Sequence, residues 1–254
     1  MYEKSAVLLR KIYTKSMNKQ DYKLTNEGYS YKYPRAAVTT DCVIFGFDGK
    51  QLQVLLIERG VEPYKGEWAL PGGFLRMDES VEECAFRELR EETAFEPVSL
   101  EQFGVFSAVD RDPRGRVVTI AFYALVKKED VHGGDDAARA QWFNIDLLPP
   151  LAFDHQDILH EAQQALKRDI HHQPVAFRML AEHFTMPQLQ RLYESILGVT
   201  FDRRNFQKKM IASGVVQEEQ TEPEKTGHRP GKLFSFNLFK YDKMKEDGVG
   251  SSEF

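Results

Sequence analysis

The segment from Gly73 to Phe95, GFLRMDESVEECAFRELREETAF, constrains this chain more than any other. It predicts a helix over about Val81–Thr93, begun by Ser80 as the N-cap with Glu83 three residues later, which is the spacing of a capping box. Every fourth position of that helix is apolar, and such a stripe packs a helix on a core. The apolar positions are Val81, Ala85 and Leu89.

Three glutamates of this helix, Glu88, Glu91 and Glu92, stand at i, i+3 and i+4 and therefore share one face. Carboxylate oxygens suit Mg²⁺, which a few protein carboxylates usually hold together with water and substrate phosphate, and Mn²⁺ would also fit. Gly72 and Gly73 would let the backbone approach a phosphate closely. The plain alternative is a charged surface helix whose glutamates are solvated.

The spacing of these residues resembles the Nudix box of nucleoside-diphosphate-linked pyrophosphohydrolases. The matched positions are Gly73, Glu79 and the run Arg87-Glu88-Leu89-x-Glu91-Glu92. The resemblance implies a metal site at Glu88, Glu91 and Glu92, which would also be the catalytic residues, with Glu91 or Glu92 as the base. Ala94 stands where the pattern has a glycine, and alanine fits there only if the backbone avoids positive φ or takes some strain.

The composition describes an ordinary soluble globular protein, with 42% hydrophobic and 29% charged residues in 254. The net charge of −5 argues against a chain that is basic throughout, and it leaves room for a basic patch on one domain. Two cysteines, Cys42 and Cys84, lack metal-ligand spacing, so we expect reduced, buried thiols in a cytoplasmic protein. No apolar run approaches the ~18 residues of a membrane span.

Strand patterns surround the central helix and predict an α/β fold, a Nudix α/β/α sandwich with a mostly mixed sheet, over residues 34–172. Residues 1–33 are polar without a sustained period and predict a flexible N-terminal extension. Asp48-Gly49-Lys50 is a strong hairpin signal, and residues 60–73 predict a loop. The predicted strands are Ala36–Phe47, Leu52–Glu58, Leu100–Val109, Val117–Lys127 and Gln141–Phe143, and a further helix is predicted over Asp154–Ile170.

Several arginines near the box are candidates for binding a diphosphate, because a guanidinium can hold phosphate bidentately. The run RDPRGRVVTIAF from Arg111 resembles a loop of ADP-ribose-recognising Nudix proteins, and Asp135–Trp142 resembles a later segment of them. In that segment Arg139 stands where a glutamate is common, which leaves the substrate and the base open. The substrate-binding candidates are Arg111, then Arg59 and Arg87, with Gly72 and Gly73. Arg87 could equally orient the glutamates.

Residues 173–241 have the layout of a winged helix-turn-helix domain. Thr185 and Gln188 have capping-box spacing ahead of an amphipathic helix that Gly198 would end. A basic helix from Asp202 to Gly214 follows, and a hairpin comes after it. His171 and His172 predict a linker, since adjacent histidines cannot share one helical face, and residues 242–254 predict a disordered tail.

The candidate DNA-binding residues lie on the outer face of the basic helix and at the tip of the hairpin. They are Arg203, Arg204, Gln207, Lys208, His228, Arg229 and Lys232, while Phe206 and Met210 should point inward. Arginine and lysine neutralise phosphates, and arginine and glutamine can also read guanine and adenine edges. A solvated basic face is the alternative.

A Nudix domain followed by such a segment resembles the Nudix-related transcriptional regulators of the NrtR and AraR type. The resemblance implies a homodimer that binds double-stranded operator DNA and senses a small-molecule effector. Three functions stay open: a regulator responding to ADP-ribose, a related nucleotide or a pentose such as arabinose; a Mg²⁺-dependent pyrophosphohydrolase with an accessory domain; or a regulator that destroys its own effector. We expect a regulator that binds, and could also hydrolyse, a nucleoside diphosphate sugar. The sequence does not give the effector, the operator or the sign of regulation.

Overall fold

The structure is a computed structural model that describes residues 22–25, 28–97, 99–128, 137–172, 175–219, 232–240 and 243. The chain divides into one unit of residues 1–37 and another of residues 38–254. In the first unit, β1 (Tyr22–Thr25) and β2 (Gly28–Tyr31) pair antiparallel. The sequence predicted a flexible extension here, because strands of four residues are too short to show a period. The predicted tail lies outside the described residues, apart from residue 243.

The larger unit is built on a sheet in which the described residues form seven strands. They are β3 (Ala37–Phe47), β4 (Leu52–Arg59), β5 (Trp68–Ala69), β6 (Gly72–Phe74), β7 (Glu101–Phe106), β8 (Val117–Lys127) and β9 (Ala137–Asn144). The order is β5-β4-β3-β8-β7, with β6 beside β3 and β9 beside β4. The predicted hairpin is confirmed: β3 and β4 pair antiparallel, and the Asp48 carboxylate accepts the N–H groups of Lys50 and Gln51.

Successive residues of β3 point to opposite faces of the sheet, so the strand contributes to two cores. Two helices flank the sheet, α1 (Val81–Thr93) and α2 (His155–His172). Ile44 packs in one core with Ala85 of α1, and Phe45 packs in the other with Leu166 of α2. The predicted α/β/α sandwich is therefore confirmed. No helix of the described residues is long and apolar enough to cross a membrane.

Three details of this part differ from the sequence prediction. Residues 60–73, predicted as a loop, contribute β5 and the start of β6. Strand β9 is longer than the predicted Gln141–Phe143, since it pairs along β4 from Gln53 to Arg59. Helix α2 continues through His171 and His172, which the sequence placed in a linker. Tertiary pairing and packing decide these boundaries, and they leave little trace in the local sequence.

The C-terminal part forms a winged helix fold, as predicted. It contains a 3₁₀ helix (Val175–Arg178), β10 (Phe184–Thr185), α3 (Met186–Leu197), α4 (Arg203–Ser213), β11 (Val216–Glu218) and β12 (Leu233–Phe236). The predicted capping box of Thr185 and Gln188 is present, and Gly198 and Gly214 end the two α-helices at φ values of 71° and 68°. The strands pair in the order β10-β12-β11. The two-residue strand β10 was not predicted.

The winged helix and the Nudix sheet share a hydrophobic core. The cluster on the α2 side of the sheet includes Phe45 and Leu166, and it also includes Leu189 of α3 and Phe234 of β12. At the edge of this contact, Arg178 donates hydrogen bonds to Ser99 (2.8 Å) and to the Glu101 carboxylate (3.4 Å). The winged helix is thus packed directly on the sheet.

Candidate functional site

Helix α1 begins where its sequence predicts. The Glu83 N–H donates to the Ser80 hydroxyl (3.2 Å), and the Ser80 N–H donates to the Glu83 carboxylate (2.7 Å). The apolar stripe faces the core, with Ala85 and Leu89 fully buried. Glu88 and Glu92 come three residues after Ala85 and Leu89, so they border this stripe and lie beside β6, which α1 contacts.

The Arg87 guanidinium joins the acidic residues of the box. It donates to Glu79 through Nη2 and Nε (2.6 and 2.8 Å), and to Glu88 and Glu91 through Nη1 (2.6 and 3.0 Å). The hydrogen bonds from Arg87 are the main reason that the pKa of Glu79 falls to about 2. These contacts favour the reading of Arg87 as the residue that orients the glutamates, and its contact with substrate stays a prediction.

Glu92 lies at the junction of α1 and β6. It is buried, and its carboxylate accepts the Gly72 N–H at 2.8 Å. Burial raises the pKa of Glu92 to about 8, and the neighbouring Glu88 charge adds to the shift against the opposing hydrogen bond from Gly72. Burial also raises the pKa of Glu88. The buried carboxylates are therefore held in an environment that disfavours their charge.

The two glycines of β6 are required by close contacts. Gly72 has a φ of 156°, and a Cβ there would lie 2.0 Å from the Thr40 carbonyl oxygen. A Cβ on Gly73 would lie 2.4 Å from the Glu88 carboxylate. Only glycine lets the strand approach both β3 and the glutamates this closely.

The glutamates fit a divalent cation by their chemistry. Their donors are hard carboxylate oxygens, and a cation would offset the unfavourable burial of charge at Glu92 and Glu88. Among the described residues, however, no three acidic, histidine or cysteine side chains already converge into a metal site. The Arg87 guanidinium, bonded to both Glu88 and Glu91, is the cation that these two carboxylates share in this structure.

Ala94 ends α1 in the left-handed conformation, with φ 53° and ψ 18°. Its N–H donates to the Arg90 carbonyl oxygen at 3.1 Å. The backbone at Ala94 therefore does not avoid positive φ, and the alanine takes the strain. The conformation costs an alanine about 1 kcal/mol relative to the glycine of the family pattern.

A pocket with about 440 Å³ of empty space, counted to its open mouth, lies beside β6. Its walls combine cationic and aromatic side chains with the glycines of β6. Its lining includes Arg59, Arg111, Arg114, Phe74, Phe153 and His155.

Arg111, the first candidate for binding a diphosphate, is buried and paired within the protein. It donates to Asp154 through Nε and Nη2 (2.8 and 2.7 Å), and Nη2 also donates to Asp41 (3.2 Å). Next to it, buried His155 accepts the Leu70 N–H at Nδ1 (2.9 Å), so Nε2 carries the proton of the neutral ring. Burial lowers the pKa of His155 and keeps it neutral. A contact between Arg111 and substrate stays a prediction.

Arg59 and Arg114 both lie over the ring of Phe153, at 4.9 and 5.4 Å from its centroid. Arg114 also lies over Phe74 at 4.8 Å, and the buried Asp112 carboxylate holds its Nε and Nη2 (3.0 and 2.7 Å). Burial lowers the pKa of Arg59, and the charge of Arg114 lowers it further. Sequence reasoning named Arg59 and missed Arg114, although the Asp112-x-Arg114 spacing was available.

Arg139, at the position where a glutamate is common, pairs with Glu58 at 3.1 Å and lies over the Trp68 ring at 4.7 Å. Arg139 lies in β9, opposite Glu58 of β4 in the antiparallel pairing of the two strands. Asp135 and Asp136 of the same predicted segment lie outside the described residues.

The basic residues of the winged helix mostly lie on exposed surfaces. Arg203, Arg204 and Lys208 of α4 are exposed and Gln207 is half-buried, while Phe206 and Met210 point inward as predicted. Lys232, at the start of β12, is exposed and pairs with Glu218 at 2.7 Å. His228 and Arg229 lie outside the described residues. Contacts of this surface with DNA stay a prediction.

Two domain families match the chain. The NUDIX domain matches residues 35–162, and the NrtR DNA-binding winged helix domain matches residues 176–236. The chain is 38% identical over 215 residues to the ADPR responsive transcriptional repressor NtrR of Acinetobacter baylyi, covering 83% of this chain and 86% of that protein. It is 43% identical over 129 residues to the ADP-ribose pyrophosphatase of Methanocaldococcus jannaschii, covering 51% of this chain and 74% of that protein.

Among solved structures, the fold is similar to that of Shewanella oneidensis NrtR in complex with a 27mer DNA. The TM-score is 0.67 at 29% sequence identity, and the match covers 81% of this chain and 95% of that one. The chain therefore belongs to the Nudix family, in the group whose Nudix domain is followed by an NrtR-type DNA-binding winged helix domain.

Proposed function

We propose that this protein is a transcriptional repressor whose winged helix binds operator DNA and whose Nudix domain binds ADP-ribose or a closely related nucleotide as the effector. The observation that carries the proposal is the joining of a cationic pocket and a winged helix in one packed unit, together with the extended similarity to an ADPR responsive repressor. Binding of operator DNA also fits the predicted cytoplasmic location.

The pocket favours an anionic effector over a free pentose. Arg59 and Arg114 line it, and burial together with their mutual repulsion makes the charge of Arg59 unfavourable. A phosphate group would offset that charge and accept hydrogen bonds from both guanidiniums. A neutral sugar such as arabinose would bring no anionic partner for Arg59, whereas Arg114 already has the Asp112 carboxylate.

Hydrolysis of the effector is a second candidate function, because the charged residues of the box are present and Arg87 joins Glu79, Glu88 and Glu91. Glu88, Glu91 and Glu92 would hold a divalent cation, as Nudix hydrolases generally require, with Mg²⁺ or Mn²⁺ as the expected ion. When bound, such an ion would offset the negative charge that develops on a diphosphate during cleavage.

The chain's own groups supply the rest of that chemistry. Arg87 orients Glu88 and Glu91 through its Nη1, and Glu79 holds the other side of the guanidinium. A carboxylate near its pKa at neutral pH is suited to accept a proton from an attacking water, and burial brings Glu92 into that range. Glu91 is the alternative base.

Helix α2 offers a path from the pocket to the winged helix. Its first residue, His155, lines the pocket, and Asp154 just before it holds Arg111. Farther along, Leu166 packs in the core that also contains Leu189 of α3. An effector that favours one position of this helix would, by linkage, favour one position of the winged helix. In the expected homodimer, that shift would change the spacing of the two α4 helices.

The test uses double-stranded DNA fragments selected from a random pool by the full-length protein. ADP-ribose should lower the affinity of the protein for these fragments, and AMP release is followed by chromatography with and without Mg²⁺. Release of DNA without AMP formation would indicate a sensor, and Mg²⁺-dependent AMP formation would add an enzyme. DNA affinity and protein stability that do not respond to ADP-ribose would contradict the proposal.

A further inference from the structure

We propose that Arg59 and Arg114 form a two-guanidinium grip for adjacent phosphate groups, and that Asp112 positions Arg114 within it. The inference deepens the proposed function and rests on it for the identity of the effector as a nucleoside diphosphate. The grip itself requires only two neighbouring phosphates. It replaces Arg111 as the pocket residue that meets the diphosphate.

The first argument is the aromatic support beneath both cations. The guanidiniums of Arg59 and Arg114 lie over the Phe153 ring, and Tyr64 packs edge-on against that ring at 4.7 Å. Contact with an aromatic ring stabilises a guanidinium while leaving its N–H edges available. A nucleobase stacked on Phe153 would have to displace the two cations, so this part of the pocket is built for an anion.

The second argument is the backbone conformation of the aromatic support. Tyr64 and Phe153 have positive φ values of 64° and 55°, which are rare for bulky residues. Such conformations persist only where the surroundings impose them, and they cluster at ligand sites. Here both strained residues are in contact with each other beneath the arginines. The surroundings therefore hold the two rings in place beneath the proposed grip, at the expense of this strain.

The third argument is the balance of charge. The hydrogen bonds described for Arg59 go to the carbonyl oxygens of Pro63 (2.8 Å) and Val61 (3.5 Å), which leave its charge in place. Arg114 is balanced by a single carboxylate, Asp112. Arg111, by contrast, shares two carboxylates and is buried. An anion that enters the pocket thus meets Arg59, whose described hydrogen bonds go to no carboxylate, and beside it Arg114, whose charge Asp112 already balances.

Asp112 fixes the direction of the Arg114 guanidinium. Its side chain is almost fully buried and accepts the Arg114 backbone N–H (2.9 Å) as well as Nε and Nη2. These bonds occupy Nε and one N–H of Nη2, so the edge formed by Nη1 and the second N–H of Nη2 is what Arg114 can offer to a phosphate. Asp112 acts through Arg114 and is a positioning residue.

The experiment is calorimetric titration of the full-length protein, without added metal, using ADP-ribose, inorganic pyrophosphate and adenosine as separate probes. Arg59→Gln and Arg114→Gln should each weaken ADP-ribose and pyrophosphate binding by about tenfold, and adenosine binding should not respond. Arg90→Gln removes an exposed arginine of α1 and is the matched control. Thermal melting confirms that each variant is folded, and Arg114→Lys, which keeps the charge without the bidentate fork, should lose most of the same affinity.

Asp112→Asn tests the positioning role. It should weaken pyrophosphate binding by about threefold in the wild-type background and leave it unchanged in the Arg114→Gln background, because the two changes remove one interaction. Additive losses would assign Asp112 a structural role instead.

The outcomes separate the grip from the proposed function. If the wild type binds pyrophosphate but not ADP-ribose, and the arginine variants do not bind pyrophosphate, the grip stands and the assigned effector is wrong. If ADP-ribose binds equally well to the wild type and to both variants, the grip is wrong and the proposed function stands. A wild type that binds neither probe would overturn the grip as well.

Discussion

The carboxylate of Glu92 accepts a hydrogen bond from the backbone N–H of Gly72, 2.8 Å away across the junction of α1 and β6. Gly72 also lines the pocket. One bond therefore joins the helix that carries the three glutamates to the strand that forms the wall of the ligand site. A change in the charge of Glu92 will reach the pocket through this bond.

Replacing Glu92 with Gln should change how stability depends on pH. The pKa of Glu92 in the folded protein is about 8, against 4.5 in its ordinary state. The folded wild type therefore binds more protons than the unfolded chain between these values, and its free energy of unfolding falls as pH rises through this window. The variant lacks this loss, so its stability relative to the wild type should rise by about 3 kcal/mol between about pH 5.5 and about pH 8.5.

Urea unfolding at about pH 5.5 and about pH 8.5 measures the difference. Glu82→Gln, at an exposed position of the same helix, is the control and should show the same difference from the wild type at both pH values. The expectation fails if the advantage of Glu92→Gln does not grow with pH. Mg²⁺ at about pH 8.5 should stabilise the wild type more than the variant if these carboxylates hold a cation.

Glu91→Gln should abolish any Mg²⁺-dependent release of AMP from ADP-ribose, while folding and DNA binding stay nearly intact. Glu91 is half exposed and bonded to Arg87, so its amide replacement leaves the core untouched. Chromatography of the reaction products gives the rate, and Glu96→Gln, at an exposed position beyond α1, is the control. Equal rates in Glu91→Gln and the wild type would remove Glu91 from the metal site.

Ala94→Gly should raise the free energy of unfolding by about 0.5–1 kcal/mol, because glycine adopts the left-handed conformation without strain. Gly198→Ala is the reverse control, since Gly198 ends α3 at a φ of 71° with no atom within 4 Å of a Cβ. It should lose about 1 kcal/mol through backbone strain alone. Denaturant melts of the two variants would contradict this account if both moved in the same direction.

Arg203→Ala and Arg204→Ala should each weaken binding to the selected DNA fragments. Both side chains are exposed on α4. Loss of one phosphate contact should reduce the slope of log affinity against log salt by about 1. Fluorescence anisotropy over a salt series measures the slope, with Arg90→Ala on the Nudix domain as the control. Unchanged affinity in both variants would show that α4 is not the helix that contacts DNA.

Arg178→Ala should weaken the coupling between effector and DNA more than it weakens either binding step. Arg178 links the winged helix to Ser99 and Glu101 of the Nudix domain. Coupling energies are typically about 1–3 kcal/mol, and loss of this link should remove a measurable part of one. The readout is the ratio of DNA affinities with and without ADP-ribose. Arg168→Ala, elsewhere on α2, is the control, and equal ratios in both variants would remove Arg178 from the path.

The sequence predicted the elements whose signals are local. The boundaries of α1 and of α3 follow from capping boxes, and the ends of α3 and α4 follow from glycines. Each of these signals depends on residues within one helical turn, so it can be recognised from a short stretch of sequence.

The site was predicted less completely, because its contacts join distant residues. Arg111 looked available for a ligand, but its partners Asp41 and Asp154 lie 70 and 43 residues away. Arg114 belongs to the run that resembles a recognition loop, but no local signal singles it out, and only the fold places Phe153 beneath it. The glutamates were identified because their spacing on one helix carries the whole signal.

The core shared by α2 and α3 sets how the protein can be divided. Leu166 and Leu189 are completely covered inside it, and Phe234 of the winged helix is almost as well covered. Cutting the chain after α2 would expose apolar surface on each fragment, so we expect each fragment to be less stable than the intact protein. Thermal unfolding should therefore show a single transition in which the winged helix and the Nudix domain unfold together. Substitutions that adapt the Nudix domain to a new effector must therefore remain compatible with the winged helix that shares its core.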